Sequence, residues 1–455
     1  MQAEVLSELV DSFPPGVVVT DPDALTGYRH DWSRDVGAGT PVAVVRAQDA
    51  AQVQSAVRWA AKHRVPVVPR GAGTGLSGGS SAVDGGIVVS LERMRAIEID
   101  TACRVAVVEP GALNVEVKAA AVAQGLWYPP DPSSFEICSI GGNVATNAGG
   151  LCCVKYGVTT DYVLGMDVVL ADGTLVSLGG KRIKDVAGLS LLKLFVGSEG
   201  TLGIVTRAIL RLIPAQTDRA TLVATFASMT AASHAVVAIG ARLRPSMMEL
   251  MDNASINAVE DWKPHGLDRS AGALLVAQSD APGEARTLET GVMQQACESA
   301  GATEVVVTTD PDEAEMFVAA RRAAFPALEA RGSLLLEDVG APVPLLPELI
   351  DGIAAIAARH DVSIPVVAHA GDGNTHPIIV FDPSDEDVAR RARLAFEEVM
   401  ALAIALGGTI TGEHGVGRTK KAALPAQLGP EVMALSHRVK DALDPDGILN
   451  PGAVL

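Results

Sequence analysis

The sequence lacks the features that place a protein in a membrane or on a nucleic acid. It contains no stretch of about 18 uninterrupted apolar residues, so no membrane span is predicted. The first residues, MQAEVLSELVDSFPPG, are acidic and hold no basic segment followed by an apolar run, so no secretory signal is predicted and a cytoplasmic protein is expected. Basic residues are in deficit, with 36 Lys and Arg against 54 Asp and Glu and a net charge of −18. Such a surface repels phosphate backbones, so nucleic acid is not an expected partner, and an anionic substrate needs a local Arg, Lys or metal ion.

Cysteine is also sparse, with five residues and no C-x-x-C pattern. This absence excludes a thiolate zinc site or an iron–sulfur cluster of the usual spacing. An odd number that includes the adjacent Cys152 and Cys153 does not fit a disulfide framework. We therefore interpret this pair as ordinary thiols in a reducing compartment.

The length and the pattern of the chain predict an α+β protein with more than one domain. A chain of 455 residues exceeds one ordinary core, so two or three domains are expected. Residues 1–215 alternate short apolar runs with helical patterns, as in the helix at 50–64 that leads into the strand at 65–69. From about Thr217 two β-α-β units follow in succession, which predicts a ferredoxin-like domain over 216–430. The turn-rich end of the chain predicts that 431–455 pack back on the first domain.

A segment with five glycines in nine positions is the most informative feature of the first domain. It reads PRGAGTGLSGG over residues 69–79, and Gly73, Gly75 and Gly78 spell G-x-G-x-x-G. In a nicotinamide-type dinucleotide fold the last glycine opens a helix, but the continuation SSAVDGG cannot start one. Glycines also let backbone N–H groups converge on an anion, so this segment predicts a phosphate cradle of another kind. A flexible structural loop is the alternative.

Two further glycine segments favour a large, extended ligand. Residues 139–150 read SIGGNVATNAGG, which we expect to be a second loop, with Asn143, Thr146 and Asn147 available to hydrogen-bond a diphosphate or ribityl group. Residues 196–205 read VGSEGTLGIV. Tight turns explain one such segment easily and three poorly.

These three segments resemble the FAD-binding domain of the vanillyl-alcohol oxidase (PCMH-type) superfamily. More closely, the chain from about Tyr28 to Gly452 resembles the group that comprises the FAD-binding subunit of glycolate oxidase and the FAD-linked D-lactate dehydrogenases. The resemblance implies that the first two segments hold the FAD pyrophosphate, that residues 199–205 line the flavin and adenosine, and that Asn450 returns from the C-terminus to the flavin. The cofactor-binding residues that it implies are Pro69, Arg70, Gly71, Ala72, Gly73, Thr74, Gly75, Leu76, Ser77, Ser139, Gly142, Asn143, Thr146, Asn147, Gly149, Glu199, Gly200, Gly203, Ile204 and Asn450. Some members attach FAD through a His in the first segment. Because no His lies between Arg64 and Gly79, we expect non-covalent FAD.

The second half of the chain carries a candidate metal site. Residues 368–377 read AHAGDGNTHP between two apolar runs, which predicts a strand, a glycine turn and a strand that brings both imidazoles together. Residues 412–418 read GEHGVGR, where glycines permit an irregular backbone. Two His and a carboxylate with open positions form a catalytic rather than a structural metal set, although core or surface histidines remain the alternative. Asp372 is either a partner of an imidazole or a turn residue.

The resemblance assigns roles to this second half. It implies His369, His376 and Glu413 as ligands of a divalent metal, with zinc ranked before manganese or iron, and His414 as the base. It also places Arg321 at the carboxylate-binding position, while Arg322 is expected to be a surface residue. The hypothesis is FAD-dependent oxidation of a small D-2-hydroxy acid, glycolate or D-lactate, to the 2-oxo acid, with hydride transfer to the flavin.

Several alternatives stay open at this point. A D-2-hydroxyglutarate dehydrogenase and a non-redox flavin-dependent synthase share the fold, and a catalytically silent FAD-binding subunit would be expected to lack the His and Glu-His elements. Ile378 favours a small substrate if it points toward the metal, and says nothing if it turns into the core. The electron acceptor is a quinone, a cytochrome or a partner protein, and oxygen and a homodimer are also open.

Overall fold

A computed structural model of the chain describes residues 3–215 and 218–455, which form two compact units. Unit 1 comprises residues 3–149, 158–215 and 413–455, and unit 2 comprises residues 150–157 and 218–412. The predicted domain boundary, between residues 215 and 216, is next to Gln216 and Thr217, which lie outside the described residues. Unit 1 resumes at Glu413, earlier than the expected start of the C-terminal segment at 431. Among the described helices, none is both long and apolar enough to cross a bilayer.

Unit 1 is built from short strands and helices. Its strands are β1 Val18–Val19, β2 Ala43–Arg46, β3 Val67–Arg70, β4 Ile87–Ser90, β5 Ile97–Asp100, β6 Val105–Val108, β7 Leu126–Trp127, β8 Val163–Val169, β9 Leu175–Gly179, β10 Ile204–Arg211 and β11 Ile213–Pro214. Its helices are α1 Ala3–Asp11, α2 Pro22–Thr26, α3 Ala50–His63, α4 Asn114–Val122, α5 Ile140–Thr146, α7 Thr159–Tyr162, α8 Leu191–Phe195 and α16 Leu424–Leu443, with a 3-10 turn at Lys421–Ala423.

The first sheet of unit 1 supports the first glycine segment. Its strand order is β1-β2-β4-β3, with β4 parallel to both β2 and β3. Helix α3 connects β2 to β3, and it buries Val53 and Val57 on one face, which confirms the helix predicted from the apolar spacing. The glycine segment starts where β3 ends. Strand β3 also meets the C-terminus, because Leu449 forms a parallel bridge with Val67.

The second large sheet of unit 1 is antiparallel throughout. Its order is β5-β6-β10-β8-β9. Strands β8 and β9 form a hairpin around the turn residues Ala171, Asp172 and Gly173, and they pair from Val169 opposite Leu175 to Gly165 opposite Gly179. The third glycine segment lies immediately before β10.

Unit 2 contains an eight-stranded sheet and the helices that connect its strands. Its strands are β12 Ala220–Phe226, β13 Met247–Asp252, β14 Ala273–Ser279, β15 Glu304–Thr308, β16 Ser333–Leu336, β17 Val339–Gly340, β18 Val366–His369 and β19 Asn374–Phe381. Its helices are α6 Cys153–Tyr156, α9 Met229–Gly240, α10 Asn253–Trp262, α11 Glu284–Ser299, α12 Pro311–Arg322, α13 Ala324–Glu329, α14 Leu346–His360 and α15 Glu386–Ala405, with a 3-10 turn at Val343–Leu345.

The sheet of unit 2 has a ferredoxin-like core. Strands from the two predicted β-α-β units lie in the order β15-β12-β14-β13, with α9 and α11 as the connections, so this part of the predicted fold is confirmed. The sheet continues beyond β13 through β18, β19 and β16, and β17 pairs with β19. This extension carries the two histidines of the candidate metal site. Residues 150–157 join unit 2 because Leu151 belongs to its apolar core and both Lys155 and Tyr156 bond Asp280.

Candidate active site

The first glycine segment is irregular, as predicted. After β3 ends at Arg70, no helix begins at Gly78, which has a φ of +78°, and Gly73 has a φ of +74°. A side chain at Gly71 would collide with Ser139 Oγ, and the Ala72 N–H donates to the same hydroxyl at 3.2 Å. The backbone of the first glycine segment therefore lies directly against the Ser139 side chain of the second, with no room for a side chain at Gly71.

Arg70 supports this segment from the inside. Its side chain is 8% exposed, lies against Gly73 and donates from Nη1 to the Ser80 carbonyl at 3.4 Å. Its guanidinium is also 5.9 Å from the centre of the Tyr28 ring. Burial lowers the pKa of Arg70, against the opposing influence of Asp31. Arg70 thus holds the curved backbone in place from within.

The second glycine segment is a helix rather than the loop expected from its sequence. Ser139 caps the helix Ile140–Thr146, with its Oγ accepting from the Gly142 N–H at 3.4 Å. Gly141 is needed for packing, because a Cβ there would lie 2.5 Å from Pro110 Cβ. The expectation of a loop was wrong because the glycines permit close approach of the helix to its neighbours rather than breaking it.

The polar side chains of this helix bond to the protein. Asn143 accepts from Asn114 Nδ2 at 3.0 Å, and Asn147 Oδ1 accepts from the Thr160 N–H at 2.8 Å. Thr146 Oγ1 donates to the Gly142 carbonyl at 3.2 Å. These internal hydrogen bonds fix the shape of the segment.

The third glycine segment and the C-terminus meet at Glu199. This carboxylate is buried and accepts from the Val416 N–H at 2.7 Å and the Gly417 N–H at 3.0 Å. Burial raises the pKa of Glu199 to about 7, although both backbone N–H groups lower it. Asn450 Nδ2 donates to the Gly79 and Glu199 carbonyls, both at 2.7 Å. The C-terminal segment therefore joins the first and third glycine segments.

Several non-glycine residues in this region have a left-handed backbone. The φ values are +53° at Asn147, +49° at Glu199 and +42° at Asn450. Such a conformation costs free energy and persists where the surroundings over-determine it, typically at ligand sites. Three converging segments with close backbone approach fit an extended phosphate-bearing cofactor such as FAD. Gly200 packs against Pro69, while Gly203 and Ile204 lead into β10.

The two predicted histidine ligands come together in unit 2. Strands β18 and β19 pair with Val367 opposite His376 and His369 opposite Asn374, which confirms the predicted strand, turn and strand. The rings of His369 and His376 are perpendicular with centroids 5.0 Å apart, and their exposed fractions are 3% and 6%. Asp372 Oδ1 accepts from the Asn374 N–H at 3.3 Å, which supports its role in the turn.

Each of these imidazoles has a buried carboxylate at its Nδ1 atom. Glu249 Oε1 is 2.8 Å from His369 Nδ1, and Asp338 Oδ1 is 3.7 Å from His376 Nδ1. Thr411 Oγ1 donates to Asp338 Oδ2 at 2.7 Å. Sequence reasoning assigned no role to these carboxylates. The available signal was an acidic residue inside each of the apolar runs MMELMD and LLLEDVG.

Arg321 lies at the end of α12 and is 4% exposed. Its Nε is 2.9 Å from Glu249 Oε2, and its Nη2 has no hydrogen-bond acceptor among residues 3–215 and 218–455. Arg322 is 3.4 Å from Glu315 Oε1 and is only partly exposed. Arg321 is thus the buried member of the pair, as a carboxylate-binding role requires.

Glu413 and His414 open the last part of unit 1. His414 Nε2 is 3.7 Å from Glu413 Oε1, and the His414 carbonyl accepts from Ser77 Oγ at 3.0 Å. Positive φ values at Gly415 and Gly417 confirm the irregular backbone expected there. The preceding residue, Gly412, donates its N–H to the Asp338 carbonyl at 2.9 Å within unit 2.

Ile378 shares a face of β19 with His376 because it lies two residues further along the strand. It is 1% exposed and belongs to the apolar core of unit 2, together with Val367 and Leu328. The interpretation that Ile378 turns into the core is the one that the structure supports. Ile378 therefore gives no information about the size of the substrate.

Comparisons with known proteins decide the family. Residues 41–179 match the FAD binding domain family, and residues 215–454 match the family of FAD linked oxidases, C-terminal domain. The chain belongs to the FAD-linked oxidases. It is 41% identical over 415 residues to the glycolate oxidase subunit GlcD of Bacillus subtilis, with 90% of this chain and 88% of the relative covered. It is 35% identical to a D-lactate dehydrogenase of Anaerostipes hadrus, with 99% of this chain and 98% of the relative covered.

Solved structures of this FAD-linked oxidase fold agree with the architecture. The structure of p-cresol methylhydroxylase with substrate bound has a TM-score of 0.83 at 18% identity and covers 100% of this chain and 97% of its own. An alkyldihydroxyacetonephosphate synthase has a TM-score of 0.77 at 18% identity, covering 99% of this chain and 86% of its own. At this identity the likeness concerns the fold alone, and it confirms the PCMH-type prediction.

Proposed function

We propose that this FAD-linked oxidase oxidises a small D-2-hydroxy acid, such as glycolate or D-lactate, to the 2-oxo acid. The observation that carries the proposal is the pair of buried imidazoles on β18 and β19, each with a carboxylate at Nδ1, in a chain whose relatives include a glycolate oxidase subunit and a D-lactate dehydrogenase. Imidazole nitrogens and carboxylate oxygens are the donors expected of a catalytic divalent metal site.

The proposed metal ligands comprise one residue in addition to the two histidines. We propose that His369 and His376 bind the metal, that Glu413 is the third ligand that the family resemblance implies, and that Asp338 orients His376. The donor set fits Zn²⁺, Mn²⁺ or Fe²⁺, and zinc is our first choice. A divalent ion held there supplies Lewis acidity that lowers the pKa of a bound hydroxyl.

The chain's own residues supply the remaining chemistry. Arg321 has an unengaged Nη2 edge that suits a substrate carboxylate, and this contact would orient the substrate. His414 would take the hydroxyl proton as the α-hydrogen leaves with its electron pair, which converts the alcohol to a carbonyl. Bound FAD, held without a covalent bond, supplies the two-electron acceptor in this oxidation.

Charge favours a substrate with one carboxylate. The buried acidic residues of unit 2 include Glu249, Glu337 and Asp338, and the sequence between Gly332 and Arg359 contains no Lys or Arg. A second substrate carboxylate beside these groups would cost several kcal/mol unless it were paired. These charges therefore favour a small 2-hydroxy acid over D-2-hydroxyglutarate.

Comparison of kcat/KM for glycolate, D-lactate and D-2-hydroxyglutarate tests the substrate class. We expect both monocarboxylates to exceed the dicarboxylate by about tenfold or more, the factor that corresponds to roughly 1.4 kcal/mol. A preference for the dicarboxylate would contradict the charge argument. Failure of all three to reduce the flavin would favour a non-redox synthase or a silent subunit.

A further inference from the structure

Glu249 is an acidic residue in the middle of a buried strand. It lies in β13, whose sequence is MMELMD, and it is 1% exposed. Its neighbours Met248 and Leu250 are also buried. An isolated carboxylate in such surroundings costs several kcal/mol, so its presence requires compensation from charged or hydrogen-bonding partners.

Two functional side chains from different elements supply that compensation. In the sheet Glu249 is opposite His369 of β18, and its two oxygens lie 2.8 and 3.0 Å from His369 Nδ1. Its Oε2 is also 2.9 Å from Nε of Arg321, at the end of α12. One carboxylate thus contacts both a proposed metal ligand and the proposed carboxylate-binding arginine.

The contact with His369 fixes a tautomer. A carboxylate only accepts hydrogen bonds, so the proton must be on Nδ1 of the imidazole. The lone pair of a neutral His369 is then on Nε2, where a metal ion can use it. The ion pair with Glu249 holds the Arg321 guanidinium at its Nε side, and Nη2 has no hydrogen-bond acceptor among the described residues.

We propose that Glu249 is a positioning residue that prepares His369 for the metal and Arg321 for the substrate. This inference rests on the proposed function, since it takes His369 as a ligand. The negative charge of Glu249 has a second effect. Glu249 neutralises the Arg321 guanidinium, which would otherwise be an unpaired cation close to the divalent ion.

The test is Zn²⁺ affinity, measured on the FAD-bound protein by competition with a chromophoric chelator. Glu249→Gln preserves the shape of the side chain and can still accept from His369, but it loses the charge. We expect the Kd for Zn²⁺ to rise by about tenfold to a hundredfold, the usual effect of mutating the outer partner of a ligating histidine. In an Arg321→Gln background the same change should raise the Kd less, because the unpaired cation is gone.

Glu260→Gln is the matched control. Glu260 is another buried carboxylate of unit 2, but it accepts from the backbone N–H groups of His265 and Leu267. This variant should lose thermal stability and keep the wild-type Kd for Zn²⁺. If Glu249→Gln does not fold, Glu249→Asp retains the charge on a shorter side chain and should weaken Zn²⁺ binding while FAD stays bound.

The outcomes separate the inference from the proposed function. A wild-type Kd in Glu249→Gln, or in Glu249→Asp if that variant is needed, would overturn the positioning role alone. An equal rise in Kd with and without Arg321 would overturn the electrostatic part of the inference. A wild-type protein that binds no Zn²⁺ but oxidises 2-hydroxy acids would overturn both the inference and the metal in the proposed function.

Discussion

At the scale of single residues, the proposed role of His414 as the catalytic base can be tested directly. Its backbone is anchored by the Ser77 hydroxyl through the carbonyl oxygen, so loss of the imidazole leaves this anchor intact. We expect His414→Ala to slow reduction of the flavin by 2-hydroxy acid by about a hundredfold or more, the usual scale for a positioned base. The measurement is the single-turnover rate in rapid mixing.

The control for this variant is His437→Ala, at an exposed position of α16. It should reduce its flavin at the wild-type rate. An unchanged rate in a folded His414→Ala protein that retains FAD and metal would show that another group accepts the proton.

Glu199 gives a prediction about pH. Its pKa is about 7 in the folded protein against an ordinary value of 4.5, so between these values the folded state holds a proton that the unfolded state has released. Stability from this group therefore falls as pH rises through that window, by about 3 kcal/mol in all. The melting temperature of the wild type, relative to that of Glu199→Gln, should fall as the pH rises from about 5 to about 8.

The exposed Glu304→Gln serves as the reference for this experiment, because its carboxylate is in solvent. A pH-independent difference between wild type and Glu199→Gln would mean that Glu199 remains ionised throughout the window.

At the scale of elements, the apolar period along the chain was enough to predict several of the strands and longer helices. Helix α3 and the hairpin of β8 and β9 follow directly from spacing and from turn residues. The helix α5 was missed because Gly141, Gly142 and Asn143 have low helix propensity. Ser139 as the cap and packing against Pro110 outweigh that propensity, and both depend on contacts that a single sequence does not display.

The candidate site was predictable to a similar extent. His369 and His376 flank glycines in a pattern that brings them together, so local sequence revealed them. Glu249 comes from strand β13 and Asp338 from the segment between β16 and β17, both distant in sequence from the histidines, and only sheet pairing puts Glu249 opposite His369. The family resemblance supplied the role of Arg321, which local pattern does not indicate.

Helix α5 itself offers a test. A methyl group at Gly141 would lie 2.5 Å from Pro110 Cβ and 2.9 Å from its carbonyl oxygen, so α5 must shift away. We expect Gly141→Ala to cost about 1–3 kcal/mol of stability and to lower the FAD content of the purified protein. Gly291→Ala, in the exposed middle of α11 with nothing within 4 Å, should instead stabilise by about 0.5–1 kcal/mol. Normal FAD content in Gly141→Ala would separate α5 from cofactor binding.

At the scale of the whole molecule, FAD and the two metal-ligating histidines are assigned to different units. The proposed FAD contacts all belong to unit 1, while His369, His376 and Asp338 belong to unit 2. We expect a chelator to abolish turnover and leave FAD bound, with activity returning when Zn²⁺ or Mn²⁺ is added. Full activity in a preparation shown to be free of metal would remove the ion from the mechanism.

The mode of FAD attachment is a second property of the whole molecule. The sequence between Arg64 and Gly79 offers no His for a covalent bond. Acid precipitation should therefore release all of the yellow colour into the supernatant. Colour that stays with the washed protein pellet would show a covalent bond elsewhere in the chain.

The most direct test of the central claim is anaerobic mixing of the FAD-bound, metal-loaded protein with D-lactate or glycolate. The account predicts that the visible absorption band of the oxidised flavin disappears and that one molecule of the 2-oxo acid forms for each FAD reduced. A flavin that stays oxidised with both acids, in protein shown to contain FAD and metal, would contradict it.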